Sequence, residues 1–165
     1  MALQKKRRVS QLKKLQFTAR KLFKPKTVSY AGLLTLWTGA PSLPQDICKA
    51  LYKECHQHLE HQLATATLSR GNRVLEIGAG IGLISLVCAR ICGPDAVLSY
   101  EANPKMADII RRNFELNGMI ANLRNKAVAT QSGEISFYFN DNVVSSSIID
   151  RGFGGATTVA CDGFA

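Results

Sequence analysis

Glu76 and Glu101 are the carboxylates in this 165-residue sequence whose neighbours suit them best to chemistry. Glu76 sits in Leu75-Glu76-Ile77-Gly78-Ala79-Gly80-Ile81-Gly82, between a short apolar run, Val74–Ile77, and an apolar stretch, Leu83–Cys92. Glycines at a strand-to-helix turn let the backbone approach a ligand with no Cβ in the way. The first turn of the following helix adds unpaired N–H donors. Glu101 closes a second apolar run, residues 96–100, where a carboxylate can accept both hydroxyls of a ribose. The pair describes a nucleoside site.

Two details choose among nucleosides. The glycines are spaced G-x-G-x-G, whereas the dinucleotide fingerprint needs glycine or alanine one position later, where Leu83 stands. An anion at Glu76, next to the first glycine, is unhelpful beside a pyrophosphate but suits the cationic end of a sulfonium methyl donor. S-adenosylmethionine is therefore favoured over NAD. Glu101 supports nucleoside binding without deciding between them.

Alternating strand and helix must position these groups. The run Val74–Ile77 predicts a short buried strand, and Leu83–Cys92 a helix stopped by Gly93-Pro94. Residues 96–100 form the second strand. Asn103 then caps a helix with Pro104 at its first position, Met106, Ile109, Ile110 and Phe114 on its buried face, and Gly118 past its end. A third strand covers residues 122–128, and the alternation of Ile135, Phe137 and Phe139 predicts another at 134–139. Residues 140–155 read mostly as loop, and 157–160 start a further strand. Strand–helix–strand–helix–strand implies a parallel sheet with right-handed crossovers. The expected fold is α/β, a Rossmann-like, doubly wound, mostly parallel sheet. It would be incomplete, with the first three strands and two helices of a class I methyltransferase behind an N-terminal helical extension.

Three segments follow. Residues 1–26 are a basic arm, 27–69 an N-terminal strand and amphipathic helix, and 70–165 a partial cofactor-binding domain. Residues 28–37 predict a strand or hairpin around Gly32. Ile47, Leu51, Cys55, Leu59, Leu63 and Ala66 recur at helical spacing and predict one helix over residues 46–66. The net charge of +9 lies in the arm, which holds ten cations and no acid. The remainder, with eleven cations against twelve acids, is close to neutral. Such an arm is either a solvated helix or a contact for polyanions such as nucleic acid, and it also resembles an organelle transit peptide.

No apolar run approaches the roughly 20 residues of a membrane span. Five cysteines without a C-x-x-C pair fit reduced thiols in a cytoplasmic protein, with Cys88 and Cys92 on a buried helix face. His56, His58 and His61 crowd together, but only His58 and His61 share a helix face, so no metal is expected. None of the three has motif support as a general base, and the catalytic residue stays unassigned.

Residues 74–82, Tyr100-Glu101-Ala102-Asn103-Pro104, Arg112-Asn113-Phe114-Glu115-Leu116-Asn117-Gly118 and residues 140–152 together resemble the FkbM family of methyltransferases. Val28-Ser29-Tyr30 followed by Gly32 is similar to a strand ahead of the fold in some members. The resemblance implies S-adenosyl-L-methionine as cofactor and methylation of a hydroxyl on a small molecule or glycan. It places Glu76, Gly78, Ala79, Gly80 and Gly82 on the methionine and ribose side. Glu101 would hold the ribose hydroxyls, with Ala102 and Asn103 beside them, and Ala127, ending the third strand, would be a wall for adenine. Asn142 and Ser145 to Ser147 lie in a polar loop that faces cofactor, substrate or solvent. Family members continue with a fourth strand beside the first, carrying an Asp-x-Glu-Gly-type motif, and three more strands. The expectation is then that this chain alone has an open central strand and little or no activity, being a fragment, a truncated product, or half of a split pair whose partner supplies the missing C-terminal half. Two other readings stand beside it: an RNA methyltransferase anchored by the arm, and a non-catalytic remnant or subunit that binds nucleoside or a partner.

Overall fold

The computed structural model describes residues 2–139, 148–149, 152 and 155–164. The basic arm is a helix, α1 (Ala2–Phe23), followed by an antiparallel hairpin of β1 (Thr27–Tyr30) and β2 (Leu34–Trp37). Then come α2 (Gln45–Tyr52), α3 (His58–Thr67), β3 (Val74–Ile77), α4 (Leu83–Cys92), β4 (Val97–Tyr100) and α5 (Pro104–Leu116). The last elements are β5 (Leu123–Arg124), β6 (Ala127–Ala129), β7 (Gly133–Phe139) and β8 (Gly155–Gly163). Strands β3, β4 and β5 form a parallel sheet in that order. A second sheet has the order β6-β8-β7, with β8 parallel to β6 and antiparallel to β7. No helix among the described residues is long and apolar enough to cross a membrane.

Right-handed crossovers between strands laid down in one direction put α4 and α5 on the same face of the sheet. That face carries Val74, Glu76, Val97 and Ser99. Leu75 and Ile77 alternate to the opposite face, where they are 49% and 60% exposed. Where a short buried strand was expected, β3 is covered on one face only, and among the described residues it is an edge strand. The helices fulfil their local chemistry. Asn103 Oδ1 accepts the Lys105 N–H at 3.0 Å, and α5 buries Met106, Ile109, Ile110 and Phe114. Cys88 and Cys92 are buried on α4, and burial pushes the Cys88 thiol up to about 11.

The single helix expected over residues 46–66 is two. Helix α2 ends in a Schellman motif: Cys55 N–H donates to Ala50 O and Glu54 N–H to Leu51 O, both at 3.0 Å. Glu54 occupies the left-handed position usually given to glycine, with φ 56°, and Gln57 repeats that conformation at φ 48° before α3 begins. Each left-handed residue with a side chain costs about 1 kcal/mol, and tertiary contacts hold both. Arg20 of α1 donates to Tyr52 O at 3.0 Å and pairs with Glu54 at 3.1 Å, while Tyr30 OH donates to His56 O at 2.6 Å. Leu59 and Leu63 consequently face solvent, and Ala64 is the buried residue of α3.

The third strand also divides. After β5 pairs with β4, the Asn125 amide donates to Glu101 O at 2.6 Å, and the chain turns into β6 of the other sheet. Ala127 therefore begins a strand and does not end one.

Two asparagines of α5 bind the hairpin. Fully buried Asn113 accepts the Trp37 N–H at 2.7 Å and donates to Ile81 O at 2.9 Å. Asn117 accepts the Thr35 N–H at 2.9 Å and donates to Thr35 O at 2.7 Å. The hydrophobic core is continuous through hairpin, α2, glycine loop, α4 and α5. Replacing Asn113 with Ala strands two buried backbone groups, so Asn113→Ala should lose about 2–4 kcal/mol of unfolding free energy in urea titration. An unchanged midpoint would contradict this account of the packing.

Candidate active site

The glycine loop is built by the ends of two strands. Gly78 and Ala79 N–H groups both donate to Tyr100 O, at 2.8 and 2.9 Å, fixing the loop to the end of β4. Gly78, Gly80 and Gly82 all have positive φ (81°, 59° and 75°), and at Gly78 and Gly80 an added Cβ would project into open space. Those two leave a cradle that backbone alone lines. Gly82 serves packing instead: a Cβ there would stand 3.0 Å from Ile110 Cγ2, so the glycine lets α4 and α5 approach each other.

Glu101 is buried at the mouth of this loop. One carboxylate oxygen accepts the Gly80 N–H at 2.7 Å and the other the Asn103 N–H at 2.8 Å. Burial raises its pKa, against those two hydrogen bonds, which favour the ionised form. A carboxylate has about four acceptor sites, so both oxygens retain capacity for ligand hydroxyls.

A cleft of about 400 Å³ opens here. Gly78, Gly80, Glu101, Ala102 and Ala127 of the expected residues line it. Glu76, Ala79, Gly82 and Asn103 do not. Glu76 shows why: with a strand period of two, it faces α4, where it accepts a hydrogen bond from Ser85 Oγ, which in turn accepts one from Ser99 Oγ at 2.9 Å. Glu76, expected at the ligand's cationic end, thus lies outside the cleft lining and against α4. Ala79 is buried beneath the loop, and Asn103 acts through its backbone and its helix cap. Asn142 and Ser145 to Ser147 lie outside the described residues.

Several lining residues were not anticipated. Ile47, His56 and Gln57 come from α2 and the linker after it, Tyr100 and Phe137 from strands, and Lys126 from the β5–β6 connection. Lys126 pairs with Asp162 at 2.6 Å, and Tyr100 OH donates to the same carboxylate at 3.0 Å. The Lys126 ammonium and the Tyr100 hydroxyl hold Asp162 below its ordinary pKa and join the two sheets at the cleft floor. Burial pushes His56 down, so its imidazole is neutral at pH 7. The sequence signal for the linker residues was the crowding of His56, His58 and His61, from which no metal was expected. No group of metal ligands forms among the described residues.

A glycine cradle, a buried carboxylate ending the second parallel strand and a capped helix beyond it make a nucleoside site. The TRM5/TYW2 methyltransferase domain matches residues 42–149, which hold every one of these features. The chain belongs to that family. The assignment bears out the enzyme class read from the sequence, a S-adenosylmethionine-dependent methyltransferase; the FkbM resemblance is a finer statement than it reaches. Over 50 residues the chain is 42% identical to calmodulin-lysine N-methyltransferase of Arabidopsis thaliana, covering 30% of this chain and 16% of that protein. Over 53 residues it is 42% identical to protein arginine N-methyltransferase 2 of Xenopus tropicalis, covering 32% of this chain and 12% of that one. The aligned stretch is thus a small part of either relative.

Methyltransferases of this kind use S-adenosylmethionine, and the residues present fit it. Glu101 offers acceptors, Gly78 and Gly80 offer a Cβ-free wall, and Gln57, whose buried amide oxygen has no hydrogen-bond partner among the described residues, lines the same cleft.

Glu76 gives a pH test of this geometry. Burial raises its pKa above the ordinary 4.5, outweighing the Ser85 and Ser99 hydroxyls. Its favourable contribution is then fully present below about pH 4.5 and fades as pH rises through the raised folded value. Glu76→Gln should match the wild type near pH 4 and exceed it in stability near pH 7.5 in urea titrations. Equal differences at both pH values would refute the burial argument.

Proposed function

We propose that this chain is the cofactor-binding portion of a methyltransferase that modifies a hydroxyl on a small molecule or glycan, in the manner of the FkbM family. Buried Glu101, at the end of β4 and in the cleft, carries the reading. In it Glu101 takes the ribose hydroxyls, Ala102 lies beside them, and Ala127 walls the adenine. Gly78 and Gly80 pass close to the methionine. Ala79, Gly82 and Asn103 support the loop from behind, and Glu76 sets its strand against α4. The hydroxyl preference rests on the FkbM-like Glu-x-Asn-Pro and Asn-x-x-x-Asn-Gly pieces at residues 101–104 and 113–118.

When bound, S-adenosylmethionine supplies an electrophilic methyl carbon on its sulfonium. The task left to the chain is to hold the donor in one orientation and keep water from the reacting atoms. Gly80 and Asn103 fix both Glu101 oxygens before any ligand arrives, so little ordering remains for the binding step. A hydroxyl acceptor benefits from a general base, and no described residue is assigned that role.

A second reading makes nucleic acid the acceptor, favoured by an acid-free α1 in a segment with ten cations. A third follows from the relatives, whose names give calmodulin lysine and protein arginine as their acceptors.

Calorimetric titration of the purified chain tests the cofactor reading. S-adenosylmethionine and S-adenosylhomocysteine should bind and NAD should not, and Glu101→Ala should weaken binding at least about tenfold, as loss of hydrogen bonds to a charged group implies. A folded chain that binds none of them would sink the proposal. Adding single-stranded RNA over a salt series separates the second reading: several Lys/Arg–phosphate contacts give a log–log slope of about −0.7 per contact. A flat response would exclude the arm as an RNA anchor.

A further inference from the structure

The linker between α2 and α3 is built to deliver one side chain to the cleft. Five contacts fix this linker and the end of α2. Arg20, only 11% exposed, holds Tyr52 O and Glu54, the Schellman bonds close α2, and Tyr30 OH holds His56 O. The result is Gln57 in the left-handed region with φ 48°. Gln57 precedes the first residue of α3, yet its side chain caps no helix N–H. It lines the cleft, and its amide oxygen is fully buried with no hydrogen-bond partner among the described residues. Left-handed residues with side chains gather at functional sites, where the surroundings hold them in place. A buried, unmatched acceptor in a ligand cleft calls for a donor from the ligand.

Topology says which part of the ligand that is. The ends of β3, β4 and the β5–β6 connection lie in order along the cleft. Glu101 ends β4, and Ala127, Lys126 and Phe137 lie on the β6 side. Helix α3 packs on α4, the helix that leaves the glycine loop after β3. A nucleoside with its ribose on Glu101 and its base toward Ala127 therefore extends its third part over the glycine loop toward Gln57. In the methyl donor, that part is an amino acid with a positively charged ammonium group. Of the nearby acids, Glu76 beside the glycine loop is engaged with Ser85 on the other side of β3, and Glu54 is paired with Arg20.

We propose that the Gln57 amide oxygen receives the α-ammonium group of S-adenosylmethionine, making the 53–57 linker the methionine-side wall of the site. The assignment rests on the cofactor reading above and adds to it the residue that recognises the amino-acid end. Its neighbour His56, neutral and in the same cleft, adds no competing positive charge at pH 7.

The test compares two ligands that differ only at the end in question. S-adenosylhomocysteine carries the ammonium group, and 5′-methylthioadenosine keeps adenine, ribose and sulfur without it. In calorimetry, Gln57→Leu should bind S-adenosylhomocysteine about tenfold more weakly, the loss expected of a hydrogen bond to a charged group, and methylthioadenosine as the wild type does. Gln57→Glu keeps an acceptor and adds a counter-charge, so it should bind S-adenosylhomocysteine at least as tightly as the wild type. Equal weakening of both ligands by Gln57→Leu, or of S-adenosylhomocysteine by both variants, would reduce Gln57 to a structural role and overturn the proposal. So would wild-type affinity in Gln57→Leu. Failure of the wild type to bind S-adenosylhomocysteine would remove the cofactor reading itself, whereas normal wild-type binding with indifferent Gln57 variants would remove this inference alone.

Discussion

A buried side-chain amide is costly unless both its ends find partners, and Asn113 meets that condition by joining three parts of the chain. Its oxygen takes the Trp37 N–H of the hairpin, and its nitrogen gives to Ile81 O in the glycine loop. The amide thus sets the height of the loop against α5, and Gly82 allows the approach by leaving room for Ile110. Together they seat against α5 a loop whose Gly78 and Gly80 N–H groups bond to Tyr100 O and Glu101. Asn117, one turn later, repeats the contact to the hairpin and also donates to Asn113 O at 2.7 Å. The hairpin is held on α5 by side-chain amides that substitute for a neighbouring strand.

The two glutamates show how a parity of one residue divides labour. Glu76 lies inside β3 and is turned by the pleat toward α4, among hydroxyls and away from the cleft. Glu101 follows the last residue of β4, beyond the pleat, and curls back over the loop to take Gly80 and Asn103. Glu101 is buried and Glu76 half-buried, and desolvation raises the pKa of both. Glu101 differs in accepting two backbone N–H groups, Gly80 and Asn103, one on each oxygen, which leaves outer lone pairs for a ligand. Adjacency to a glycine motif therefore marks a position in sequence, and the strand's phase decides the face.

What was legible in the sequence is what short-range chemistry determines. The boundaries of α4, the Asn103 cap with Pro104, and the buried set of α5 all follow from glycine, asparagine and apolar spacing within a few residues. The hairpin at residues 27–37 was anticipated for the same reason. The break at 53–57 was not, because a Schellman motif with glutamate in place of glycine carries no local mark, and the groups that enforce it, Arg20 and Tyr30, stand more than twenty residues away. The division of the third strand at Asn125 likewise depends on a long-range bond to Glu101 O. Gln57 was invisible for this cause: its importance comes from the strain of its backbone and the burial of its amide, neither of which is written in its neighbours.

Arg20 belongs to the basic arm, yet it spends its guanidinium indoors, on Tyr52 O, Glu54 and Ser29 O. That one residue makes the arm a structural spring behind the cleft wall as well as a charged surface. The two roles are then thermodynamically coupled. Whatever engages the arm strongly enough to draw Arg20 outward slackens the 53–57 linker, and by reciprocity a ligand that tightens the linker resists that engagement by the same factor. An outermost helix of this kind is a natural place for one binding event to be sensed by another.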